Sequence, residues 1–137
     1  MTTTFDFGNG PVPAHRHTNP DGSIGGWVAD TATVSPTAWV YGNAKVYGTA
    51  GVYGNAMVYG NAWVSGSAVV SGSAVVSGYA QVFGNAVVYG DAEVFDTAWV
   101  YGDAEVFGNA GVYGNATVFG NAQVCGYAKV FGDTVLT

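Results

Sequence analysis

His15 and His17 are the residues best placed for chemistry in this chain. On an extended segment, positions i and i+2 point the same way. Two imidazoles so placed can hold a metal ion. The same pair can also serve as hydrogen-bonding groups in a terminal cap. The acid pairs Asp91/Glu93 and Asp103/Glu105 repeat the two-residue spacing. Their positions fit solvated corners and faces better than an acid–base couple. Cys125 is the single cysteine, so no intrachain disulfide can form, and no basic neighbour in sequence activates its thiol. The candidate metal ligands are therefore His15 and His17. No catalytic residue and no cofactor are assigned.

Composition narrows the classes. The chain has 137 residues, the length of one domain. Only 9% of residues are charged, and the formal net charge is −6. The cations Arg16, Lys45 and Lys129 are scattered and make no basic stripe, so nucleic acid is not an expected partner. No apolar run is long enough for a transmembrane helix, so a membrane is not expected either. Met1 to Gly10 lacks the basic and apolar regions of a secretory signal, and the expected compartment is the cytoplasm.

The elements that position these residues follow from a six-residue period. Every sixth residue from Val28 to Val130 is valine, eighteen in succession, and Leu136 continues the column. Alanine fills a second column from Ala32 to Ala128. The unit Val-x-Gly-Asn-Ala-x is seen cleanly from Val52 to Met57. A fixed short period signals a repeat architecture. Residues 27–137 are the array. Residues 1–26, which hold both histidines and three of the four prolines, are expected to cap it.

Within a hexad, Ala-x-Val-Tyr alternates with the period of a strand and Gly-Asn breaks it, which predicts a four-residue strand and a tight corner. A run of hairpins would set Val40 opposite Lys45 and Val88 opposite Glu93, mixing the apolar column with charges. A coil of three hexads instead stacks residue i on i+18, Val on Val. At about 4.8 Å per coil, six coils make a prism roughly 29 Å long.

This pattern, Val40…Ala44 and Val46…Ala50 and onward, resembles the hexapeptide-repeat left-handed parallel β-helix family, especially the YGNA-type arrays of bacterial and phage proteins. The resemblance implies an all-β fold, a left-handed parallel β-helix of about six triangular coils of 18 residues, with an N-terminal cap. It also implies a homo-oligomer, commonly a trimer. One departure is that glycine directly follows the aliphatic residue in the family's enzymes, whereas here an aromatic or serine intervenes, as in Val58-Tyr59-Gly60.

The inward columns hold no polar residue before Thr134, so function must lie outside or at the ends. The outward residues form three columns rich in Trp, Tyr and Phe. Stacked rings stabilise neighbouring coils, and their total apolar area also favours a subunit interface. The second column is smallest in its middle coils, at Val69, Ser71 and Val87, and can lie against a neighbour. The expected function is a non-catalytic structural or interaction module forming an oligomeric β-helical rod. The alternative is an enzyme similar to hexapeptide acyltransferases, with its site at a subunit interface near His15 and His17. The array has neither a histidine nor an interrupting loop, and that favours the first.

Overall fold

The computed structural model describes residues 3–137. All of its regular elements are strands. Three lie before or across the start of the array: β1 (Thr4–Asp6), β2 (Pro11–Thr18) and β3 (Ile24–Ala29). After β3 come two-residue strands, one per hexad, starting with β4 (Thr33–Val34) and β5 (Trp39–Val40). The regular strand is thus shorter than the four residues expected. The chain bends at the alanine and at the aromatic, so only the pair between them is straight. The ladder outlasts the strand, because the aromatic N–H still reaches the next coil: Tyr47 N–H donates to the Val64 carbonyl over 3.0 Å.

The pairing is parallel and its register is 18. Lys45 lies beside Trp63 and Val46 beside Val64, while Val69 lies beside Val87 and Val70 beside Val88. Three parallel sheets result, with one strand of each in every coil. The first sheet has nine strands, because β1 and β2 extend it at one end and the strand Val135–Leu136 gives it a seventh coil strand at the other, and the other two have six. β1 pairs with β2 and β2 with β3, both antiparallel, before β3 begins the parallel stack on Lys45–Val46. The chain is therefore an all-β solenoid of about six 18-residue turns.

The corners need glycine. Gly60 has φ +68°, and a Cβ there would lie 3.0 Å from the backbone nitrogen of Gly78, its counterpart in the next coil. An L side chain would meet both the left-handed backbone and that contact. Asp96 is the exception at a corner, with φ 58°, and its carboxylate accepts from Gly114 N–H over 3.0 Å. Asp tolerates this region because its short side chain can bond locally.

Valine and alanine fill the interior. From Val40 to Val118 every valine of the column is fully buried, and the alanines between them are buried too. Burial of one such valine contributes roughly 1.5–3 kcal/mol before chain entropy offsets most of it. The columns open at the far end of the array, where Ala128 and Thr134 are exposed.

The inside and outside of this register can be separated by adjacent substitutions. Val70 is fully buried, and Ser71 is partly exposed. Val70→Asp should cost several kcal/mol, because the carboxylate would find neither water nor a partner. Ser71→Asp should change thermal stability little. Equal losses in a melting experiment would contradict the register.

Candidate functional site

The two histidines lie on β2, but they meet different surroundings. Simple alternation would place them on one side. The register between β2 and β3 shifts between Arg16 and Thr18, and the buried positions of β2, Ala14 and His17, are three residues apart. His15 is half exposed, and its Nδ1 lies 2.8 Å from Asp30 Oδ1. A contact this exposed contributes about 0–1 kcal/mol at most. His17 is buried, and its Nε2 donates to the Ala38 carbonyl over 2.8 Å. No group of three or more metal-ligating His, Cys, Asp or Glu side chains is assembled among the described residues.

His17 and the nearby Asn19 act together on β5. In this ladder Trp39 N–H points into the following coil, to the Ala56 carbonyl. The Ala38 carbonyl and Val40 N–H then point the other way, where no earlier coil exists for β5. His17 donates to that carbonyl, and Asn19 Oδ1 accepts from that N–H over 2.9 Å. Both bonds are buried. Two side chains thus supply what a neighbouring strand would have supplied. Gly25 and Gly26 let β3 pass close by: a Cβ on either would overlap the Val40 or Ala44 carbonyl. Sequence reasoning singled out the histidines but missed Asn19, whose signal was only a polar residue next to a proline.

The outer surface carries ring ladders. Tyr41 stacks on Tyr59 at 4.8 Å, Phe83 on Tyr101 at 4.7 Å and Tyr101 on Phe119 at 5.2 Å. Tyr89 stacks on Phe107, and Phe95 on Tyr113 and then Phe131. Most ring planes in these ladders lie within about ten degrees of parallel. The rings use their faces on one another and present edges to solvent, each pair contributing about 0.5–1.5 kcal/mol. Burial, and then the neighbouring Tyr59 phenol, pushes the Tyr41 hydroxyl above its usual pKa. Two cations join the first column: the Arg16 guanidinium lies over Trp27 at 5.4 Å, and the Lys45 ammonium lies near Phe5 and Trp63.

One coil interrupts the ladders. Ser65, Ser71 and Ser77 take the ring position at all three edges of the same turn. The acid pairs lie beyond it. Asp91 and Glu93 line a hollow with Phe95, Asn109, Gly111, Tyr113 and Lys129. Glu105 accepts from Gln123 Nε2 over 3.1 Å, and Asp103 from Asn85 Nδ2 over 3.3 Å. Cys125 is exposed near the end of the array.

The sequence profile of the YdcK β-solenoid repeat matches residues 50–66, 80–94 and 110–126. The array is similar to that repeat family. The three matched stretches all lie within the stacked coils, so the likeness concerns the β-solenoid itself and not β1 or β2. No curated protein and no solved structure matches the chain.

The β5 edge yields a prediction. Asn19→Ala leaves the buried Val40 N–H unsatisfied and should destabilise the β-solenoid by about 1–3 kcal/mol. His15→Ala removes only an exposed pair and should cost under about 1 kcal/mol. Denaturant titration of both variants checks the order, and a His15 loss equal to or larger than that of Asn19 would contradict the strand-replacing role.

Proposed function

We propose that this chain is a non-catalytic structural module, a rigid cytoplasmic rod that associates with copies of itself. In this reading it is a left-handed hexapeptide-repeat β-helix, residues 1–26 close its first coil, and the assembly is a homotrimer. The hand and the trimer rest on the resemblance to hexapeptide-repeat proteins. His15 and His17 serve the fold, since each has a protein partner.

The observation that carries the reading is the outer surface of the middle coils. Val69, Val75 and Val87 point outward there, next to Ser65, Ser71 and Ser77. Residues 46–90 carry no charged side chain. A belt with no charge on any face is unusual for a free surface, and contact cores are depleted in charge. The acids gather beyond the belt, from Asp91 onward, where they keep the rod soluble.

Sedimentation equilibrium over a wide concentration range tests the assembly. The expected result is a species of three chain masses, little weakened by salt because the belt has no ion pairs to screen. A single species at the mass of one chain throughout would refute it.

A further inference from the structure

We propose that the gap at Ser77 is a slot for one aromatic ring, and that its occupant is Tyr79 of a second copy of this chain. The inference rests on the self-association above and names the contact that would make it.

The gap is one ring deep. On the third edge, Tyr41 and Tyr59 stack on one side of Ser77, and Phe95, Tyr113 and Phe131 on the other. Ring centres repeat at 4.8 to 5.4 Å in these stacks. Tyr59 and Phe95 are 36 residues apart, two coils, and so stand roughly 9.6 Å from each other. One ring inserted midway restores the stacking distance to both. A hollow of about 270 Å³ lies there, lined by Tyr59, Val75, Ser77, Glu93 and Phe95. Each flanking ring has spent one face on its own stack and turns the other toward the hollow.

The other two edges of this coil are not equivalent. At Ser71 the expected upper wall is absent: Tyr53 has no ring above or below it, only Ser35 and Ser71, and it folds over Gly51. A Cβ on Gly51 would lie 2.4 Å from the Tyr53 ring. At Ser65 the flanking rings are already engaged edge-on, Tyr47 by Trp63 and Phe83 by Trp99. Only at the third edge are both flanking rings stacked on their far side and untouched by a tryptophan.

The occupant stands two residues away. Tyr79 occupies a corner position that carries Asn, Asp, Ser or Thr in nearly every other hexad, and it is 63% exposed. Its ring lies at the axial height of the slot, because Ser77 and Tyr79 belong to one coil. Copies related by rotation about an axis parallel to the rods keep that height, so the Tyr79 ring of one meets the Ser77 slot of the next. Such a contact closes into a ring.

Four proteins test this by sedimentation: wild type, Tyr79→Ala, Tyr79→Phe and Ser77→Phe. Tyr79→Ala should weaken association at least tenfold with the dilute melting temperature unchanged, since Tyr79 is exposed. Tyr79→Phe should associate nearly as wild type. Ser77→Phe fills the slot from within: it should weaken association similarly and raise the melting temperature by about 2–8 °C, through two new ring contacts. Association unaffected by both Tyr79→Ala and Ser77→Phe overturns the slot and leaves the oligomer standing. A wild-type protein that stays a single chain overturns both.

Discussion

One constraint governs this molecule: each residue must lie beside the residue 18 positions on. Parallel pairing in that register supplies the backbone bonds between coils, as when Asn43 N–H donates to the Gly60 carbonyl and Lys45 N–H to the Ala62 carbonyl. A change of one residue in any coil would turn its inward set outward. The interior is too narrow to absorb such a slip, because it holds only one valine and one alanine per hexad. That is why the valine column continues through eighteen hexads without a substitution.

The same register acts on the outside with different chemistry. Like stacks on like, so a ring over a ring becomes a ladder, and a hydroxyl over a hydroxyl becomes a chain such as Thr49 and Ser67 at 3.2 Å. Stacking also limits what the rings can offer to solvent. In this geometry the stacked tyrosines and phenylalanines occupy each other's faces and leave edges outside. Within a column, a ring loses its stacking partner where the column is interrupted, as at the serines of one coil.

The fold was legible because a strict period converts directly into stacking: valine, alanine and glycine each recur for a physical reason, and no loop disturbs the count. The placement of individual rings was not. Gly51-Val52-Tyr53-Gly54-Asn55-Ala56 and Gly111-Val112-Tyr113-Gly114-Asn115-Ala116 are the same six residues in the same order. Tyr53 nevertheless folds over its glycine, while Tyr113 stays stacked between Phe95 and Phe131. The difference lies one coil above and one below, where Tyr53 has serines and Tyr113 has rings. The hexad alone does not encode it; the neighbours at i±18 do. The histidines illustrate the converse. Their spacing suggested one shared side, and a register shift on β2 gave them separate partners, Asp30 and the Ala38 carbonyl.

A repeat that pairs with copies of itself contains nothing that tells it to stop. Its first coil offers the same backbone groups as every other, and an unpaired edge recruits further strands. Closure therefore has to come from residues that break the pattern. β2 extends the first sheet by pairing antiparallel with β3, a direction that the array never uses, and β1 pairs antiparallel on β2 in turn. The edge at β5 is met instead by two side chains, the imidazole of His17 and the amide of Asn19, one donating and one accepting as a strand would. A buried polar side chain is costly unless bonded, and these two are bonded to groups that would otherwise carry the same cost. Of the two histidines that looked most like chemistry in the sequence, His17 thus spends its buried ring nitrogen, beside Asn19, on the backbone groups of β5.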